Sequence, residues 1–120
     1  MKVNSDDFTE TAWQGIVDAK YIASREKHQT LETEHLLCSL LKKNEIAIKA
    51  IERSGGSVKK LLIETEDFIK IQPKMQKAQE SIFFGKNISL LISRANNIKQ
   101  SFKDDFISSE HLVISLFDDE

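Results

Sequence analysis

The feature that most constrains the fold of this chain is an internal repeat with an offset of 76 residues. Residues 31–37 read LETEHLL, and residues 107–113 read ISSEHLV. Because the period is longer than that of common solenoid repeats and occurs only twice, the sequence predicts a duplicated helical unit that closes on itself. Aligned without a gap, residues 8–44 and 84–120 share ten identical pairs in 37 positions, which are Phe8/Phe84, Ile16/Ile92, Ala19/Ala95, Ile22/Ile98, Lys27/Lys103, Glu34/Glu110, His35/His111, Leu36/Leu112, Ser39/Ser115 and Leu40/Leu116.

Each copy of the repeated segment predicts the start of a helix. A hydroxyl side chain, Thr33 or Ser109, can cap the backbone, and a glutamate follows in the first turn, where the helix dipole favours negative charge. Apolar pairs then recur at helical spacing. Similar signals, including caps at Thr9, Asn44, Ser57 and Asn87, predict six helices and no sheet. These cover about 9–25, 33–43, 44–54, 57–71, 87–102 and the residues from 108 or 109 onward.

The predicted fold class is all-α, with two pseudo-repeats of a helical unit and a second repeat that is truncated. The 120 residues fit one domain. We expect residues 1–7 to form a flexible lead-in and residues 8–120 to form the domain. Within it, the first repeat covers about 8–71, a polar connection 72–87, and the partial second repeat 88–120. The apolar residues Ile82, Phe83 and Phe84 in the connection are expected to pack onto the core.

Composition excludes several classes of partner. The net charge of −2, from 17 basic and 19 acidic residues, gives no electrostatic footprint for nucleic acid or an anionic membrane. No apolar run is long enough to span a bilayer, and the polar N-terminus carries no signal peptide. The single cysteine, Cys38, cannot form an internal disulfide, which fits a reducing compartment. We therefore expect a cytoplasmic location.

The sequence carries no set of residues typical of catalysis. His35 and His111 occupy equivalent repeat positions but lack further zinc ligands at a characteristic spacing, so each is expected to hydrogen-bond near a helix start. Cys38 has neither a base nor an oxyanion site beside it in the sequence. Gly55 and Gly56 end a helix and lack the lysine of a phosphate-binding loop. We therefore expect no enzyme activity, no metal site and no cofactor.

Several segments, in order along the chain, resemble the Clp N-terminal repeat domain in the form found in ClpB-type protein disaggregases. They are FTE and AW near Phe8, ETEHLL from Glu32, QPK from Gln72 and DFISSEHL from Asp105. The resemblance runs from about Phe8 to the end of the chain. It implies two pseudo-repeats of four helices each, of which this chain holds six.

The resemblance also implies a function. An N-terminal domain of this kind engages unfolded or aggregated polypeptide for the AAA+ modules of a hexameric parent ATPase, which works with the DnaK chaperone system. A threonine at the start of the first helix and two acidic residues near the start of the sixth, tied to substrate handling in the family, map to Thr9, Asp104 and Glu110. Ile98 and Phe106 are candidate apolar contacts. We expect Thr9, Asp104 and Glu110 to cluster on the rim of a groove between the repeats.

Two alternatives remain open from the sequence. Thr9, Asp104 and Glu110 can also act as helix caps or first-turn dipole partners, and Ile98 and Phe106 can lie in the core. At the level of function, the domain can instead dock a folded adaptor protein, as in ClpA- and ClpC-type unfoldases. A groove lined with apolar side chains favours the first function, and a flat charged face favours the second.

Overall fold

The computed structural model describes residues 3–78 and 81–117 and contains six helices there. The first two residues of the predicted lead-in and the last three of the predicted second repeat lie outside the described residues. The helices are α1 (Glu10–Arg25), α2 (Thr33–Lys43), α3 (Glu45–Arg53), α4 (Val58–Ile71), α5 (Lys86–Ser101) and α6 (Ser109–Leu116), and a 3-10 turn at Ser5–Asp7 precedes them. The all-α fold class is confirmed.

Side-chain caps explain where most helices begin. Thr9, Asn44 and Ser57 each accept a backbone N–H from the first turn of α1, α3 and α4, as the sequence predicted. Phe8 packs on Trp13 at the start of α1, with ring centroids 5.3 Å apart.

Three of the predicted caps are wrong by one or two residues. The N-cap of α6 is Ser108, and Ser109 is the first residue of that helix. The N-cap of α2 is Glu32, and Thr33 is the first residue of the helix. Helix α5 begins at Lys86 with Gly85 as its N-cap, where Asn87 was predicted. Gly85 leaves room for the Glu32 carboxylate, since a Cβ atom there would lie 2.6 Å from one of its oxygens.

The prediction of no sheet is also wrong. Strands β1 (Thr30–Leu31) and β2 (Phe83–Phe84) form a two-residue parallel pair, with Leu31 opposite Phe84. An isolated parallel bridge joins Phe8 to Ile107. Phe8 is the repeat counterpart of Phe84, and Ile107 is the counterpart of Leu31, so the bridge repeats the Leu31–Phe84 pairing with the two repeats exchanged. The phenylalanine at the start of each repeat, Phe8 or Phe84, therefore pairs with the segment before the second helix of the other repeat.

The same local bonds recur in both repeats. Lys27 and Lys103 have left-handed φ angles of 63° and 61°, which end α1 and α5 in the conformation usual for a residue just past a helix. The Ser39 hydroxyl donates to the Gly15 carbonyl, and the Ser115 hydroxyl donates to the Leu91 carbonyl, both at 2.7 Å. These shared bonds fix the relative placement of α1 on α2 and of α5 on α6.

One apolar core lies between the two helix pairs. Helix α1 packs mainly on α2, α5 on α6, and α4 on the outer side of α2, while α3 reaches across to α6. At that crossing, the Asn44 amide donates to the Ser109 hydroxyl at 2.8 Å. The largest fully buried apolar side chains in the core are Ile16, Leu31, Leu36, Leu40, Ile88, Leu91, Ile107 and Leu112.

Candidate functional site

Thr9 holds the start of α1 against the segment that leads into α6. Its hydroxyl oxygen accepts the N–H of Ala12 at 3.2 Å, which caps the helix. Its own backbone N–H donates to the Ile107 carbonyl at 2.9 Å, and the Ile107 N–H donates to the Asp7 carbonyl at 2.8 Å. The start of α1 is therefore hydrogen-bonded to the segment that leads into α6.

Asp104 is attached to the start of α6 through His111. The Ser108 N–H donates to His111 Nδ1 at 2.9 Å, so the proton of a neutral ring lies on Nε2. Nε2 lies 2.9 Å from Asp104 Oδ2 and donates to it. His111 is buried, whereas Asp104 is exposed. The hydrogen bond therefore orients an exposed carboxylate beside the first turn of α6.

Glu110 lies in that first turn and is exposed. The helix dipole favours a carboxylate there, in keeping with the capping alternative, and exposure leaves the carboxylate open to a ligand. Thr9 is thus bonded to the backbone of Ile107, which lies between the two acidic residues in sequence, and the clustering of the three side chains stays a prediction.

The two apolar candidates differ in their environments. Phe106 is 50% exposed, next to Ile107 on the same segment, so the alternative that it lies in the core is wrong. Ile98 is half-buried on α5. Contact of Ile98 with a ligand stays a prediction.

A second group of side chains beside Thr9 was not anticipated from the sequence. The Lys20 ammonium lies 5.8 Å from the Trp13 ring centroid and 5.1 Å from that of Phe84, within cation–π range of both. Trp13 and Lys20 are seven residues apart on α1, two turns along one face. Phe84 is the repeat counterpart of Phe8, the ring that Trp13 also contacts. The seven-residue spacing of Trp13 and Lys20, together with the repeat equivalence of Phe8 and Phe84, was the sequence signal from which this group could have been predicted.

The equivalent turn of the first repeat has different chemistry. His28 takes the place of Asp104, and its Nδ1 lies 2.9 Å from Nε2 of His35, the counterpart of His111. Burial, reinforced by His28, lowers the pKa of His35 to about 4. Burial also lowers the pKa of His28, with Lys74 acting in the same direction. At neutral pH, His28 and His35 therefore form an uncharged, buried pair in this turn.

The remaining chemistry of the described residues is limited. Burial raises the pKa of the Cys38 thiol, which keeps it protonated and unreactive. In residues 3–78 and 81–117, no group of three or more His, Cys, Asp or Glu side chains is placed to hold a metal ion. None of the helices described is long and apolar enough to cross a membrane. The arrangement can bind a ligand through apolar and charged contacts.

Comparison with known proteins identifies the family. Residues 7–120 match the family model of the Clp repeat (R) N-terminal domain. The chaperone protein ClpB of Prochlorococcus marinus is 43% identical over 120 residues, which are 100% of this chain and 14% of that protein. The chloroplastic chaperone protein ClpB2 of Oryza sativa subsp. japonica is 38% identical over 120 residues, 99% of this chain and 12% of that protein. This chain therefore spans only about one-seventh to one-eighth of these relatives.

Solved structures show the same fold at lower identity. The N-terminal domain of Hsp104 from Candida albicans matches with a TM-score of 0.84 and 20% identity, covering 94% of this chain and 75% of that one. The N-terminal domain of ClpD from Arabidopsis thaliana matches with a TM-score of 0.69 and 19% identity, covering 94% and 78%. The resemblance inferred from the sequence motifs is confirmed: this chain belongs to the Clp repeat N-terminal domain family.

Proposed function

We propose that this domain binds exposed apolar segments of unfolded or aggregated polypeptide, as the substrate-binding module of a ClpB-type AAA+ disaggregase. The observation that carries the proposal is the junction of the two repeats at Thr9. There the start of α1 is hydrogen-bonded to a segment that displays a half-exposed Phe106 and the exposed carboxylates of Asp104 and Glu110. An apolar contact flanked by carboxylates suits an extended segment with basic flanks.

The energetics favour weak, reversible binding. Apolar burial contributes about 25 cal/mol per Å², and the cost of association offsets much of it. Both carboxylates are exposed, so their attraction for basic residues is screened by salt. Weak binding is suited to a module that must release its substrate to an ATP-driven motor.

The wider role is part of the same proposal. ATP hydrolysis and polypeptide threading are assigned to AAA+ modules outside this chain, assembled as a hexamer, and the DnaK system is an indirect partner. A cytoplasmic location is proposed on the same basis, although one of the relatives compared above is chloroplastic. The domain itself is proposed to be a binding module without enzyme activity, cofactor or metal.

Binding of a fluorescently labelled denatured protein to the domain tests the proposal. Asp104→Asn removes the charge while the amide oxygen can still accept the proton of His111. Glu110→Gln and Phe106→Ala remove the other two contacts. Each variant should weaken binding about three- to tenfold, equivalent to roughly 0.7–1.4 kcal/mol, with helical content unchanged by circular dichroism.

The repeat supplies matched controls. Glu34→Gln changes the counterpart of Glu110 in the first turn of α2, and Phe83→Ala removes another exposed phenylalanine. Both should bind like the parent. If the Asp104 and Glu110 variants also bind like the parent, the site assignment fails and docking of a folded adaptor protein becomes the better hypothesis.

A further inference from the structure

The turns that follow α1 and α5 have the same backbone but end in different hydrogen-bond chains. In the second repeat the chain runs from the Ser108 N–H through His111 to the exposed Asp104 carboxylate. In the first repeat it runs from the Glu32 N–H through His35 to His28.

Counting protons shows why the first chain requires two neutral rings. His35 Nδ1 accepts the Glu32 N–H at 2.9 Å, so the His35 proton lies on Nε2 and is donated to His28 Nδ1. The His28 proton is then on Nε2, a buried atom on the side of the Gln72 backbone. Adding a proton to either ring sets two donors against each other, at His28 Nδ1 or at the Glu32 N–H.

Few charges near the pair can compensate for an added proton. Glu26 lies on the same connection, and Lys74 lies on the segment after α4. Lys74 is already paired with Glu26 at 2.8 Å, and it opposes a positive charge on His28. Glu32 and Glu34, at the start of α2, line the neighbouring cavity with His35 and are partly exposed.

The same turn is the attachment point for the connection between the repeats. The Met75 N–H donates to the Lys27 carbonyl at 2.8 Å, and the Phe83 N–H donates to the Gln29 carbonyl at 3.0 Å. These two bonds bracket His28 in sequence. A change in the His28–His35 pair is therefore transmitted directly to the segment that links one repeat to the other.

We propose that the His28–His35 pair is a pH-sensitive latch, which closes the α1–α2 turn onto the inter-repeat connection when both rings are neutral and opens it when either ring is protonated. The equivalent turn of the second repeat, which ends in Asp104, stays closed. Acidification thus loosens one face of the domain and leaves the other intact.

The sign and range of the effect follow from the lowered pKa. An unfolded histidine titrates near 6.5, whereas His35 in the folded domain titrates at about 4. The open or unfolded form therefore binds more protons between these values. The closing free energy is complete above pH 6.5 and is lost progressively as the pH falls toward 4.

Amide hydrogen exchange of the intact chain measures the latch directly, with each rate corrected for its intrinsic pH dependence. Protection of the Met75 and Phe83 amides should fall about tenfold or more between pH 7 and pH 5. The amides of Thr9 and Ile107, which tie the other face, serve as the internal control and should change less than about threefold. The ring signals of His28 and His35, followed by NMR, should both titrate below the ordinary histidine value.

Substitution separates the latch from general acid weakening. His28→Asp gives the first repeat the acceptor of the second and should remove the selective fall at Met75 and Phe83. If that variant does not fold, the double variant His28→Gln, His35→Gln replaces both titrating rings and should remove it too. The proposal is overturned if Met75 and Phe83 keep their protection at pH 5, if Thr9 and Ile107 lose as much, or if the variant shows the same fall as the parent.

Discussion

The helix pairs α1–α2 and α5–α6 have the same backbone arrangement but differ in the size of the cavity beside them. A cavity of about 330 Å³ opens between α5, α6 and the start of α2, next to Leu37, Leu90 and Leu116. At the equivalent place in the first repeat, beside Gln14 and Asp18, the cavity is about 70 Å³. Lys43 and Asn44, at the junction of α2 and α3, line the smaller cavity.

This comparison separates residues that specify the fold from residues that are free to diverge. Hydrogen bonds from Ser39 and Ser115 to backbone carbonyls are the same in both pairs. By contrast, position 28 of the first repeat is His and position 104 of the second is Asp, on identical turns. Side chains that bond to the helix backbone are retained, while those at the end of a hydrogen-bond chain set the local chemistry.

The largest expected difference between the pairs is at their matched leucines. Leu40 is completely buried, and Leu116 borders the larger cavity and is half-buried. Leu40→Ala should lower the free energy of unfolding by about 3–4 kcal/mol, through lost burial and the cavity left behind. Leu116→Ala should cost about 1–2 kcal/mol, since part of its surface already faces the cavity. Urea denaturation of both variants measures the two free energies of unfolding. Equal losses would contradict the difference in burial between Leu40 and Leu116.

A smaller difference is expected at the hydroxyls that the sequence marks as caps. Thr9 accepts the Ala12 N–H, so Thr9→Ala should cost about 1 kcal/mol, and Thr9→Ser should restore most of it. Thr33 is inside α2 rather than at its N-cap, and Thr33→Ala should cost only about 0.5 kcal/mol or less. Thermal melts followed by circular dichroism distinguish the two. A loss at Thr33 as large as that at Thr9 would restore the original assignment of the α2 cap.

The smallest expected effect concerns an ion pair found on the first turn only. Lys74 hydrogen-bonds to Glu26 and lowers its pKa, whereas Phe102 occupies the equivalent position of the second repeat. Because the pair is largely exposed, Glu26→Gln should cost about 0.2–1 kcal/mol at neutral pH. The contribution should decrease as acid protonates Glu26 and as salt is added.

A double-mutant cycle with Lys74→Gln isolates the coupling of Glu26 with Lys74. Zero coupling at low salt would show that the pair does not stabilise the attachment of the connection to the turn.

The sequence was sufficient for the helices and insufficient for the contacts between distant segments. Thr9, Asn44 and Ser57 are local signals, because each caps a residue three positions away. Phe83 and Phe84 form a strand only through partners more than 50 residues earlier, and two residues carry no periodicity of their own. They were therefore assigned to the polar connection.

The candidate site shows the same limit. Thr9, Asp104 and Glu110 were all selected from the family resemblance, which rests on short local motifs, and their role stays a prediction. Trp13 and Lys20 were not selected, since the contact of Lys20 with Phe84 depends on how the repeats pack. Ile98 was selected for its apolar character, but its direction on α5 is a property of the folded helix pair.

The exchanged strand contacts have a consequence for the origin of such a fold. Phe8 pairs with Ile107, and Phe84 pairs with Leu31, so each repeat supplies an edge that only the other repeat satisfies. A polypeptide holding a single repeat would expose both edges, and two copies related by a two-fold axis would satisfy all of them. The arrangement matches that of a symmetric homodimer whose two subunits are joined in one chain. The covalent link between residues 72 and 82 then serves mainly to keep two already complementary halves at high local concentration.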